Sequence, residues 1–154
     1  VAQALAETQV PYEFVRVDMG ADEHKMPELL AMHPFGQVSV VMPDGFALYE
    51  NRAICRYITE VRRPGQYASP AQIVRERITF EHAAAVEAVG FHPAVLKYCG
   101  RHSGKCNHRS LPLDQVSLDI AVAELSAKLD VYEVILETYK FLAGDEFTLA
   151  DLCH

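Results

Sequence analysis

Long apolar runs are missing from this chain. No stretch of about 18 apolar residues occurs, so no membrane span is expected. Positive charge is scarce as well: 14 Lys and Arg stand against 21 Asp and Glu, a net charge of −7 with pI near 5.4. That balance argues against general nucleic-acid binding. The 4 cysteines are scattered rather than spaced as a disulfide framework, and a reducing cytosol is the simplest setting for them. The first residues, Val1-Ala-Gln-Ala-Leu-Ala-Glu-Thr8, have neither the basic start nor the apolar stretch of a secretory signal. No internal repeat or low-complexity tract is present. There is no initiator Met, and the chain opens inside what reads as an amphipathic helix. What is present is apolar content: 50% of 154 residues, enough for a sizeable core in one domain or two small ones.

Periodicity divides the chain. Residues 1–8 read as the tail of a helix broken by Gln9-Val10-Pro11. Residues 12–18 alternate with period two, which predicts a strand with Phe14 and Tyr12 toward the core. After a loop at 19–22, residues 27–32 read as a short helix ending before His33-Pro34. Val38, Val40 and Met42 then alternate with Ser39 and Val41, Pro43-Asp44-Gly45 supplies turn chemistry, and residues 46–49 form the return strand. A helix opens at Glu50-Asn51 and runs to about residue 61. Two strands feeding a polar helix N-terminus leave free backbone N–H groups suited to an anionic carboxylate.

Residues 63–68 read as a linker. Ser69-Pro70-Ala71-Gln72 looks like a capping box with proline at the first helical position. The helix it opens runs toward Val89, where Gly90 and Pro93 bend or end it. Residues 99–111 read as a polar loop. From Pro112 a long helix carries Leu118, Val122, Leu125, Leu129, Tyr132, Leu136 and Tyr139 at spacings of four and three, a stripe expected to pack as core. Tyr57 and Phe80 are also expected in the core.

Two motifs point to a family. His33-Pro34-Phe35-Gly36-Gln37-Val38-Ser39-Val40-Val41, Asp44-Gly45 and Glu50-Asn51-Arg52-Ala53-Ile54 resemble the N-P-x-G-x-V-P-x-L, D-G and E-S-R-A-I pattern of the cytosolic glutathione transferases. Gly144-Asp-Glu-Phe-Thr-Leu-Ala-Asp-Leu152 is similar to that family's G-x-x-F-T-x-A-D signature. The motifs stand about a hundred residues apart in the family's order, and the resemblance covers essentially the whole chain. Glu23-His24-Lys25 and Pro34-Phe35-Gly36-Gln37-Val38 look most like the phi class and its fungal relatives. The resemblance implies an α/β thioredoxin-like half over residues 1–62, lacking its first strand, and an all-α helical bundle over 69–154. It also implies a strand and the front of a helix before Val1 and further helices after His154, so the chain reads as a central piece. Without that first strand, which sits inside the sheet, the thioredoxin-like half is expected to leave backbone groups unpaired.

Glutathione, a tripeptide with two carboxylates and a thiol, would be the cosubstrate, with no cofactor. At the matching positions Glu50 would accept from the γ-glutamyl ammonium, and Asn51 with the helix N-terminus would donate to its carboxylate. The family has Ser or Thr where Asn51 stands, and Asn51 also reads as a plain N-cap. Val38 would pair through its backbone with the cysteinyl unit, its side chain in the core. His24, Lys25 and Gln37 would surround the glycyl carboxylate; His24 and Lys25 also read as a solvated pair beside Asp22 and Glu23. Arg52 would support the Glu50 region or pair with Glu60 or Asp22. Ser39 replaces the family's cis-proline. A cis bond before serine costs roughly 2.5–4 kcal/mol, against about 0.5–1 before proline, so this peptide is expected to be trans.

The residue that stabilises the thiolate is expected upstream of Val1. Phe91, His92 and Leu96 would line a site for a hydrophobic electrophile, or pack as core. Thr148 and Asp151 form an S/T-x-x-D box with a folding role. Cys99, His102, Cys106 and His108 offer a zinc inventory, but the last pair is tightly spaced and Lys97, Arg101, Lys105 and Arg109 repel a cation, so no metal is expected. The resemblance implies a cytosolic homodimer conjugating glutathione to hydrophobic electrophiles. The alternative is a non-catalytic docking module, as in translation elongation factor 1B gamma subunits, and Ser39 leans that way.

Overall fold

A computed structural model describes residues 1–62, 74–102 and 114–154. The chain divides into two compact units, Val1–Ala68 and Ser69–His154. The linker at 63–68 and the box at 69–72 lie outside the described residues.

In the first unit, α1 (Ala2–Thr8) ends where Gln9 turns left-handed (φ 53°) and returns its N–H to Ala6 and Leu5. A 3₁₀ turn at Glu23–Lys25 leads to α2 (Pro27–Met32), which starts on a proline whose missing N–H a first turn does not need. Strands β1 (Val40–Val41) and β2 (Leu48–Tyr49) pair antiparallel, Val40 with Tyr49 and Val41 with Leu48, across a turn at Pro43–Gly45. The strands are shorter than the alternation predicts. Helix α3 (Asn51–Arg62) buries Ile54, Cys55, Ile58 and Thr59, spaced as one helical face. Leu5 of α1 packs with Ile54 and Ile58, and Val1, Val10, Val41, Leu48 and Tyr57 close over them.

The segment 12–18 is not a strand. Phe14 is 80% exposed and Tyr12 is exposed too, contrary to the alternation. A period-two pattern becomes a strand only beside a neighbour that takes its ladder hydrogen bonds, and among the described residues the only sheet is β1–β2. Val38 is likewise half-exposed rather than core, because it precedes the paired part of β1 and faces the cavity described below.

The second unit is helical. Of the two readings at Gly90 and Pro93, an end is not seen: α4 (Val74–Val86) passes through an irregular π-helical segment, Glu87–Phe91, into α5 (His92–His102). Pro93 falls in the first turn of α5, where its missing N–H is tolerated. α6 (Gln115–Thr138) packs on α5, and α7 (Leu149–Leu152) on α4. Phe80, Ala83, Ala94, Leu118, Ala121, Leu149 and Leu152 are buried, and Lys97 pairs with Glu124 between α5 and α6. The predicted core stripe of α6 is only partly buried. Leu118 is buried, and Leu125 and Tyr132 are half-buried, but Val122, Leu129, Leu136 and Tyr139 are exposed. The face that packs runs instead through Leu118, Ala121, Leu125, Tyr132 and Ile135. It packs on α5 and the π segment.

Candidate functional site

A cavity of about 330 Å³ opens in the first unit, lined by Val1, Ala2, His33, Gln37, Val38, Ser39, Glu50 and Asn51. Its size falls in the range of small-ligand sites. Three elements meet there: the start of α1, the backbone leading into β1, and the start of α3.

Glu50 lies just outside α3, and its carbonyl accepts the first helical hydrogen bond, from the Ile54 N–H at 2.9 Å. Glu50, not Asn51, is therefore the capping position, and Asn51 is the first helical residue. Glu50 has φ 72°, a conformation costly for a side chain with a Cβ. The first N–H groups of α3 have no partner inside the helix, so the cavity holds an acidic side chain beside a cluster of donors. The Asn51 amide oxygen accepts from the Val1 nitrogen at 3.2 Å and from the Cys55 thiol at 3.8 Å.

Across the cavity, the Val38–Ser39 peptide is cis rather than trans, the arrangement that the resemblance associates with proline at this point. This corrects the expectation from sequence, which weighed only the isolated dipeptide and not the backbone around it.

The structure brings Gln37, Val38, Glu50 and Asn51 to one cavity, but His24, Lys25 and Arg52 are not in its lining. Lys25 holds the adjoining loop, its ammonium donating to the carbonyls of Phe35 at 3.1 Å and Gly36 at 2.9 Å. Gly36 is itself left-handed (φ 58°), and its N–H donates to the His33 carbonyl at 2.8 Å. A Cβ on Gly36 would lie 2.9 Å from the His24 carbonyl oxygen and equally close to the Lys25 side chain. Gly36→Ala is expected to lower unfolding stability by about 2 kcal/mol, from left-handed strain plus a backbone clash. Urea denaturation checks this, and a loss below half of that would mean the loop yields freely. His24 sits at 3.9 Å from Asp22, with its Nδ1 buried and unpartnered among the described residues.

His33, Val1 and Ala2 line the cavity without having been singled out from the sequence. The available signal for His33 was its departure from the family's asparagine just before Pro34.

In the second unit, Phe91 stacks on His154 at 5.3 Å and meets Tyr132 edge-on at 5.4 Å. The His92 Nδ1 is 3.8 Å from the carboxylate of buried Glu87, and Leu96 is exposed. The Tyr132 hydroxyl hydrogen-bonds the His154 Nε2 at 2.8 Å; burial, and after it the Glu87 carboxylate, raise its pKa above the ordinary phenol value. Phe91 and His92 thus have different partners, and Leu96 stands at the surface. Thr148 caps α7, and Asp151 completes the box. No group of three or more His, Cys, Asp or Glu is placed to hold a metal among the described residues, and Cys106 and His108 lie outside them. No helix of the described residues is long and apolar enough to cross a membrane.

The family models for the glutathione S-transferase N-terminal domain and C-terminal domain match residues 1–60 and 86–154. Glutathione S-transferase F9 of Arabidopsis thaliana is 35% identical over 150 residues, covering 97% of this chain and 69% of that protein. Glutathione S-transferase 3 of Zea mays is 37% identical over 160 residues, covering all of this chain and 68% of its own. A solved maize glutathione S-transferase I in complex with an atrazine glutathione conjugate superposes with TM-score 0.88 at 33% identity, covering 99% of this chain and 70% of that one. Two domain matches in order, and identity of this level over nearly the whole chain, place this protein in the glutathione S-transferase family.

Proposed function

We propose that this chain binds glutathione in the 330 Å³ cavity and belongs to an enzyme that conjugates the glutathione thiolate to hydrophobic electrophiles. The sulfur forms a bond to an electrophilic carbon, and the leaving group departs with the electron pair. The observation that carries this reading is Glu50 and the N-terminus of α3 standing across one cavity from the Val38–Ser39 backbone. Glu50 accepts from the γ-glutamyl ammonium, Asn51 and the α3 N–H groups donate to its carboxylate, and the Val38 backbone pairs with the cysteinyl unit. Gln37 serves the glycyl end. Lys25 and His24 shape the loop beside it, and Arg52 supports the Glu50 turn.

Residues 1–62 form the glutathione-binding domain and 69–154 the helical domain that faces the electrophile, where Leu96 presents exposed apolar surface. The protein works as a homodimer in the cytosol, with glutathione as cosubstrate. The relatives are transferases by name, and one neighbour holds a glutathione conjugate, which favours catalysis over the docking role.

The test is titration calorimetry with glutathione, followed by conjugation to an activated aryl halide. Saturable one-site binding is the expected result. No binding at millimolar glutathione would overturn the reading and move the docking module ahead.

A further inference from the structure

Resting on that glutathione reading, we propose that the His33 imidazole is a direct contact of the bound tripeptide, hydrogen-bonding the amide that joins its γ-glutamyl and cysteinyl units. The backbone of His33 is already satisfied: its N–H donates to the Leu29 carbonyl at 2.8 Å, and its carbonyl accepts from Gly36 at 2.8 Å. The side chain is not. His33 is 2% exposed and stacked on Tyr49 at 4.4 Å, with Phe35 edge-on at 6.0 Å, and its Nδ1 is buried with no hydrogen-bond partner among the described residues. Buried polar atoms in folded proteins almost always have a partner, and an orphan calls for an unseen water or ligand. The other orphaned imidazole nitrogen, on His24, belongs to a residue outside the cavity lining, whereas His33 is part of that lining.

The remaining groups of the cavity indicate which part of the ligand His33 meets. Glu50 takes the ammonium, Asn51 and the α3 N-terminus take the carboxylate, and Val38 lies at the cysteinyl backbone. Between those points runs an amide; its N–H is the cysteinyl N–H that pairs with the Val38 backbone, and its carbonyl oxygen is left as an acceptor. A neutral imidazole supplies one N–H donor for it. The aromatic stack fixes the ring plane, so the contact costs little side-chain ordering.

His33→Phe keeps the stack on Tyr49 and removes the polar atoms, and the two readouts should then separate. Removing an unpaired buried nitrogen leaves the melting temperature of the free protein unchanged or higher. Losing one neutral hydrogen bond weakens glutathione binding about fivefold. A purely packing role, or a nitrogen served by water alone, leaves the glutathione Kd unchanged and overturns the proposal. Should His33→Phe fail to fold, the unmodified protein decides. The ¹⁵N imidazole resonances of His33 shift on glutathione titration and saturate with the calorimetric Kd; if they stay unmoved at saturation, the proposal is wrong. Absence of any glutathione binding by the unmodified protein removes the glutathione reading and this contact together. Binding that is indifferent to His33 removes this contact alone.

Discussion

Glu50→Gly is expected to weaken glutathione binding about thirtyfold while leaving the protein at least as stable. Losing a hydrogen bond between charged groups costs about 2 kcal/mol of binding. The stability half of the prediction comes from the backbone. Glu50 sits at φ 72°, where a Cβ costs roughly 1–2 kcal/mol and glycine pays nothing. Against that relief stands glycine's larger freedom in the unfolded chain, about 0.4–1 kcal/mol. The net change is between zero and about 1.6 kcal/mol of stabilisation. Glu50→Ala separates the two effects, because it removes the carboxylate and keeps the strained backbone. It should bind glutathione as poorly as the glycine variant and unfold about 1 kcal/mol more easily. Calorimetry and urea denaturation on the three proteins suffice. If both variants bind like the parent and only stability moves, Glu50 is a turn residue and the ammonium is held elsewhere. Strain kept at a position where another residue would be more stable is what a functional constraint produces.

The parts of this site that could be read from sequence are those specified by local chemistry. Pro43-Asp44-Gly45 makes its turn, Pro27 opens its helix, and Thr148 with Asp151 caps α7, because each depends on neighbours in the chain. Glu50 and Asn51 were legible as the entrance of a helix. Their division of labour was not, since it depends on Glu50 turning left-handed, so that Asn51 falls inside the helix. The failures are all tertiary. Alternation at 12–18 describes a surface that suits a sheet, but alternation supplies no partner, and Phe14 lies exposed. The α6 stripe was drawn from spacing alone. Which side of a helix is buried depends on what lies against it, and with α5 and the π segment as neighbours the packed face runs through Ala121 and Ile135 rather than Val122 and Leu129. Lys25 reads in sequence as a point charge beside a carboxylate or as a loop residue, and only the folded loop shows two of its ammonium hydrogens donating to the carbonyls of Phe35 and Gly36. His33 stands in the sequence motif only as a departure from the family's asparagine; its burial and its orphaned nitrogen exist only in three dimensions.

Asp151→Ala should produce the largest loss of stability in the helical unit, about 3 kcal/mol. One carboxylate organises three donors. Its Oδ1 accepts from the Leu142 N–H at 2.8 Å, and its Oδ2 from the Thr148 N–H at 2.8 Å and the Thr148 hydroxyl at 3.0 Å. The Thr148 oxygen, so oriented, accepts from the Ala150 N–H at 3.2 Å. The helix held this way is 4 residues long, far too short to stand on its own hydrogen bonds. It nonetheless buries Leu149, Ala150 and Leu152 and packs against α4. Removing the carboxylate strands two backbone donors in a half-buried place and releases the cap that seats those side chains; hydrogen bonds to a charged acceptor run at about 1.5–3 kcal/mol each, and part of that returns as hydration. Thr148→Ala removes only the cap oxygen and should cost about 1 kcal/mol. Asp151→Asn keeps one acceptor and should fall between the two. Hydrogen exchange at Leu142 and Thr148 locates the effect: both amides should lose protection in Asp151→Ala, while Thr148→Ala leaves Leu142 protected through Oδ1. Equal losses from the Thr148 and Asp151 variants would mean that the link to Leu142 contributes nothing and that the box is an ordinary helix cap.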